Sequence, residues 1–149
     1  FCVALFVRVL PCASVAEVFS GRQPAAFANI ARPFGLSAML KPDGLVAFVK
    51  RACPACTLIE PVMQQMAGKL PSFQVVSQDD PKFPSRVAGV VDDRELDHSW
   101  LNNIEFTPTL IRFEGGLEQE RVVGWDRDAW RRLSGIRDLG EGLRASQPG

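Results

Sequence analysis

Leu45-Val46-Ala47-Phe48-Val49-Lys50-Arg51-Ala52-Cys53-Pro54-Ala55-Cys56-Thr57-Leu58-Ile59-Glu60-Pro61-Val62-Met63-Gln64-Gln65-Met66-Ala67 is the stretch that decides the fold. Its first five residues are apolar, branched or aromatic, and follow Asp43-Gly44, which reads as a buried strand entered from a turn. Leu58, Ile59, Val62, Met63 and Met66 then recur at helical spacing. Cys53 and Cys56 therefore sit where a strand hands over to a helix. Cys53 falls at the N-cap, and Pro54 suits the first helical position, where no backbone N–H is needed. Unpaired N–H groups and the positive end of the helix dipole face the Cys53 sulfur. Lys50 and Arg51 add positive charge nearby and are candidate pKa-tuning residues, favouring the nucleophilic thiolate. Cys56, one turn on, can reach back to close a disulfide.

Two simpler readings compete with a redox dithiol. A zinc site needs about four ligands, usually two Cys pairs or a Cys pair with a His pair. The remaining candidates are Cys2, Cys12 and the single His98, at no recognised spacing, so no metal is expected. An inert structural pair accounts less well for the strand-to-helix setting.

The segment resembles the active-site region of the thioredoxin-like superfamily, whose members carry a strand, a Cys-x-x-Cys at a helix start and a proline that kinks the helix. Pro61 stands where that family has its kink proline. Ile104-Glu105-Phe106-Thr107-Pro108-Thr109-Leu110-Ile111-Arg112-Phe113 is similar to the family's cis-proline loop and following strand. Glu114-Gly115-Gly116, Leu117 to Val123 and Gly124 resemble its hairpin and closing glycine. The resemblance implies an α/β thioredoxin fold, a central mixed sheet flanked by helices, here with an N-terminal helical extension. It also implies a thiol-disulfide oxidoreductase whose cofactor is only its own redox-active disulfide, Cys53–Cys56. By the same resemblance, Pro54, Ala55, Thr107 and Pro108 meet the substrate chain. The expected partners are protein disulfides and an electron donor, with the chain acting as a monomer. A peroxidase is a poorer fit, because such sites resemble Thr-x-x-Cys with a supporting Arg. An alternative from another class is a thioredoxin-like docking or redox-sensing module without turnover.

Three departures qualify the resemblance. Ala47 replaces the buried Asp that the family places in the redox strand to move the Cys56 proton. Ala52 replaces the tryptophan before the first cysteine, and Pro54-Ala55 replaces the usual Gly-Pro. Glu60 is the nearest substitute carboxylate, expected to face solvent.

The rest of the chain fits one domain. It has 149 residues, 46% of them hydrophobic, with 17 basic and 17 acidic side chains, which gives no pointer to nucleic acid or an anionic membrane. No apolar run approaches transmembrane length. Residues 1–19 read either as a signal remnant or as a first strand. The remnant is favoured because Pro11, Cys12 and Ser14 interrupt strand character. It would make the protein extracytoplasmic, and the strand reading cytoplasmic. Residues 20–139 are assigned to the domain, beginning with a helix or two over Pro24 to Leu40. Phe73 to Ser77 is the next strand. Gln78-Asp79-Asp80-Pro81 resembles the connection of the TlpA-like branch, opening a loop with a strand-like patch at Val87 to Val91. Asp93 to Asn102 is predicted to be a helix with Leu96, Trp100 and Leu101 inward and His98 in a structural or exposed role. Asp126 is predicted to cap a last helix with Trp130 and Leu133 inside, Arg127, Arg131 and Arg132 being its solvated side. Residues 140–149 read as a tail.

Overall fold

The computed structural model describes residues 43–149. The readings of residues 1–19, of Pro24 to Leu40 as an N-terminal helical extension, and of Cys2 and Cys12 lie outside the described residues.

Strand β1 (Gly44–Val49) is covered on both faces. Leu45, Ala47 and Val49 belong to one buried cluster, Val46 and Phe48 to another. An unbroken apolar run is what such a central strand requires. The chain then forms α1 (Pro54–Leu58) and α2 (Glu60–Lys69), separated at Ile59, where φ is −95° and ψ is 12°. Pro61 has no N–H to continue the ladder of α1, so the helix restarts rather than runs through. Ile59, Val62, Met63 and Met66 are all buried against β1 and its neighbours, as their spacing predicts.

These helices return the chain so that β2 (Gln74–Ser77) lies parallel to β1, with Val46 opposite Gln74 and Val49 opposite Ser77. A two-residue β3 (Val91–Asp92) adds parallel to β2. On the other side β4 (Thr109–Glu114) runs antiparallel to β1, and β5 (Leu117–Val123) folds back on β4 through Gly115-Gly116. The sheet order is β3-β2-β1-β4-β5. A short β6 (Trp125–Asp126) leads into α4 (Arg127–Ser134), capped by the Asp126 carboxylate, which accepts from the Ala129 N–H at 2.8 Å. Trp130 and Leu133 point inward, and Trp130 meets Trp125 edge-on at 5.4 Å. This is the mixed α/β architecture the sequence implies.

Four expectations are corrected. The helix after Asp93 is shorter, α3 (Asp97–Leu101), and it is turned the other way. Trp100 is 83% exposed, and Leu96 and Leu101 also face outward, while His98 and Ser99 are buried. The cause is Asp93, itself buried. Its carboxylate accepts the His98 N–H at 2.8 Å, and the Ser99 N–H and hydroxyl at 3.0 and 2.6 Å. The first turn of a helix has N–H groups without partners, and a buried carboxylate that takes them fixes which face turns in. Of the strand-like patch Val87 to Val91, only Val91 joins the sheet, and Phe83 anchors the loop by burying its ring in the core.

The basic side of α4 is also less solvated than predicted. The Arg131 Nε donates to the Leu139 carbonyl at 2.9 Å and the Arg127 Nη1 to the Leu143 carbonyl at 3.2 Å. Only Arg132 is exposed, paired with Glu120. Both half-buried arginines thereby tie down the residues read as a tail. Residues 140–149 fold back instead: Gly140 is buried, and β7 (Ser146–Gln147) pairs antiparallel with β6. Gly140 lies under the Trp125 ring, where a Cβ would stand 2.7 Å from two ring carbons, so no larger residue fits without displacing the indole.

Candidate functional site

The two cysteines stand at the end of β1 where α1 begins. Cys53 is the N-cap of α1, and Pro54 occupies the first helical position. Cys53 Sγ receives the Cys56 N–H at 3.3 Å, and its thiol donates to the Thr107 carbonyl at 3.2 Å. The sulfur thus lies between a helix N-terminus, which favours negative charge, and a carbonyl on the loop before β4. The Thr107–Pro108 peptide bond is cis. Both cysteines are reduced, Cys53 half-buried and Cys56 fully buried. Burial, reinforced by the hydrogen bond with Cys53, pushes the Cys56 thiol up to about 12 from an ordinary value near 9. The pair is therefore asymmetric, with one sulfur accessible and the other sequestered as a thiol.

The sequence-predicted residues divide into those at the sulfur and those elsewhere. Cys53, Cys56, Pro54 and Thr107 converge there, and Pro54 is exposed beside Cys53. Ala55, expected to face substrate with Pro54, is instead buried at 2% because the second residue of α1 turns toward the core. Pro108 is buried too, and its carbonyl accepts the Gly124 N–H at 2.7 Å, which fastens the loop to the end of β5. Lys50 and Arg51 are exposed, and the Arg51 guanidinium pairs with Asp80 at 3.0 Å rather than standing free beside the sulfur. The Lys82 amide, and then Arg51, hold the Asp80 carboxyl below its ordinary range. Glu60 does not face free solvent. Its carboxylate accepts the Ser85 N–H and hydroxyl at 2.7 and 2.6 Å. Trp125 is core, with its indole N–H donated to the Arg144 carbonyl.

Two residues that shape the site were not singled out. Asp79 accepts the Arg51 and Ala52 N–H groups at 2.7 and 2.9 Å, clamping the turn that presents Cys53. The Thr57 hydroxyl donates to the Arg51 and Cys53 carbonyls from the other side. A signal for Asp79 existed. β1 and β2 are parallel neighbours, so the loops leaving their ends meet, and an acid two residues past the end of β2 reaches the N–H groups of the first loop. Among the described residues, no group of three or more His, Cys, Asp or Glu could hold a metal ion, and no helix is long and apolar enough to cross a membrane.

No known family model matches the chain. Among curated proteins, thioredoxin H2-1 of Oryza sativa subsp. japonica is 29% identical over 85 residues, 56% of this chain and 52% of that protein. Putative thioredoxin H10 of Arabidopsis thaliana is 30% identical over 80 residues, 54% of this chain and 44% of its own. These likenesses support a thioredoxin-like fold for the chain. It spans about half the length of the curated relatives it matches. Among solved structures, Plasmodium falciparum thioredoxin overlays with a TM-score of 0.48 at 16% identity, over 68% of this chain and 90% of that one. Arabidopsis thaliana thioredoxin O2 in its oxidized state gives 0.44 at 22%, over 62% and 72%.

Within the thioredoxin-like frame, the Ala47 departure has a definite setting. Ala47 is fully buried between Val75 and Leu110 on the same face of the sheet as Cys56. With Glu60 held by Ser85, neither position brings a carboxylate to the Cys56 thiol.

Proposed function

We propose that the chain is a thiol-disulfide oxidoreductase that reduces disulfides in partner proteins. The observation that carries this reading is the asymmetry of the dithiol, an accessible Cys53 sulfur at a helix N-terminus beside a buried Cys56 thiol. In the first step Cys53, as thiolate, attacks one sulfur of the substrate disulfide. The substrate S–S bond breaks, a mixed disulfide forms, and the released substrate thiolate takes up a proton. Cys56 then loses its proton and attacks Cys53 Sγ. The mixed disulfide breaks, the second substrate thiol departs, and Cys53–Cys56 closes as a disulfide. Two electrons have passed from the dithiol to the substrate, and an external dithiol donor restores them.

At the helix N-terminus the Cys56 N–H is aimed at Cys53 Sγ, the nucleophile of the first step and the sulfur attacked in the second. The Thr107 carbonyl and exposed Pro54 frame the approach of a substrate chain. Since no carboxylate stands ready at Ala47, deprotonation of Cys56 is the slow event, and turnover rises with pH until the nucleophile is no longer limiting.

Cys56→Ser tests the proposal. Incubated with a disulfide-containing protein such as insulin, this variant should accumulate a mixed disulfide through Cys53, visible by intact mass and dissolved by dithiothreitol. Absence of any adduct, with no insulin reduction by the parent protein, would reject exchange and leave a docking module.

A further inference from the structure

The residues after α4 approach the redox site more closely than any reading of their composition suggests. The Arg144 carbonyl accepts the Trp125 indole N–H at 2.8 Å, and the Ala145 carbonyl accepts the Arg127 N–H at 2.8 Å. Ser146 and Gln147 then pair with Asp126 and Trp125. Beyond this strand the chain passes over Gly124, where a Cβ would stand 3.1 Å from the Gln147 carbonyl oxygen and 3.3 Å from the Gly149 nitrogen. It comes to rest on Thr107. A Cβ placed on Gly149 would lie 2.5 Å from the Thr107 carbonyl oxygen and 3.0 Å from its carbonyl carbon. That carbonyl is the one to which the Cys53 thiol donates. The segment therefore occupies the space alongside the backbone of Thr107, next to the reactive sulfur.

An extended chain that delivers a disulfide to Cys53 along Thr107 needs the same space, because edge-on pairing requires backbone groups at hydrogen-bonding distance. Two chains cannot hold it together. We propose that Ser146–Gly149 is a built-in strap covering the lane beside Thr107, which an extended disulfide-bearing segment of a substrate protein must displace. This rests on the exchange reaction proposed above. The strap is suited to displacement. It is held by a two-residue strand, its residues are mostly exposed, and among the described residues its only side-chain hydrogen bond is from Arg144 to Gln147 at 2.9 Å. Such pairing is marginal by itself. The anchor lies further back, where Leu143 packs against the core and Arg127 holds its carbonyl. Lifting Ser146–Gly149 leaves that anchor in place.

The partner it screens for is an extended, flexible segment carrying a disulfide. A small disulfide reaches the Cys53 sulfur without lying along Thr107, so the strap should discriminate between the two by size and shape.

Reduction of insulin with dithiothreitol as donor, and of a small aromatic disulfide by the pre-reduced protein with no added thiol, tests this. The proteins compared are the parent, a deletion of Ser146–Gly149, and Gly149→Val, whose side chain cannot sit on Thr107. Far-UV circular dichroism and thermal unfolding establish that the variants fold. Both variants should lower KM for insulin by roughly threefold to tenfold, the factor by which a mostly closed strap reduces the binding-competent fraction. The kcat for insulin and the rate with the small disulfide should stay within twofold of the parent. Equal KM for insulin in all three proteins, or equal changes with both substrates, would overturn the strap and leave the oxidoreductase standing. Failure of every protein to reduce either disulfide would overturn the oxidoreductase reading, and the strap with it.

Discussion

Helices α2 and α3 each follow a strand of the parallel part of the sheet, yet opposite forces hold them. α2 is fastened by Val62, Met63 and Met66, three apolar side chains sunk into one cluster with Ile59 just before them. α3 is fastened by a single carboxylate. Asp93 takes two backbone N–H groups and a hydroxyl of α3, Ser99 takes a further hydrogen bond from Gln78, and the large apolar residues are left outside. Apolar burial is spread over several side chains, so truncating one costs global stability while the others still hold the helix in place. A buried polar anchor concentrates its effect on one group, and its removal strands several partners at once. The redox helix is thus robustly held and the far helix is held at a point.

The sharpest way to break this contrast is at the packed helix. Met63→Ala should lower stability by about 2–5 kcal/mol, the range for truncating a fully buried Met, measured by urea unfolding of the reduced protein. Asp93→Ala should come next, at roughly 2–3 kcal/mol, because unpaired buried donors each cost about 1–3 kcal/mol and water can reach some of them. Its signature differs from that of Met63→Ala: hydrogen exchange should accelerate at His98 and Ser99 while the α2 amides keep their protection. Loss of protection spread evenly over both helices would remove the distinction.

A third prediction concerns Cys56, which the same apolar packing covers. Its folded-state pKa is raised to about 12 from near 9, so above pH 9 the unfolded chain loses this proton before the folded one does. The stabilising contribution is complete below about 9 and declines as pH rises toward about 12. Thermal midpoints of the reduced protein should fall over that window, and Cys56→Ala should fall less steeply. Parallel curves for the two proteins would refute the shift. The smallest effect is expected at Trp100. Trp100→Ser should change stability by no more than about 0.5 kcal/mol, as surface substitutions do, whereas an inward tryptophan would have cost about 3–5 kcal/mol.

The legible parts of this chain were those governed by neighbours in sequence. The run Leu45 to Val49, the spacing Ile59–Val62–Met63–Met66, Pro54 behind an N-cap and Asp126 ahead of Trp130 are all local signals, and each produced the element expected. The cysteines' place followed from the same reasoning. What escaped depends on groups brought together only by folding. The orientation of α3 is set by Asp93, whose burial cannot be seen in a stretch that reads Asp-Asp-Arg-Glu-Leu-Asp. The pairing of β7 with β6 joins residues about twenty positions apart through a segment of Gly, Ser, Gln and Pro, whose composition suits a tail equally well. Arg127 and Arg131 look like a solvated face until the carbonyls of Leu143 and Leu139 are laid beside them. At the site, Asp79 and the burial of Ala55 escaped for the same reason.

The outer strand of the sheet, β5, has a consequence of its own. A free sheet edge offers a row of unpaired N–H and C=O groups to any passing chain, the first step toward fibrous association. Here β5 bears Glu118, Glu120 and Arg121, and the register between β4 and β5 slips at Arg112/Phe113. Arg121 is drawn onto the Asn102 and Asn103 carbonyls. The opposite edge, β3, is only two residues long. Among the described residues, one margin of the sheet repels by charge and irregularity and the other by brevity, and neither offers a long regular template to a second copy.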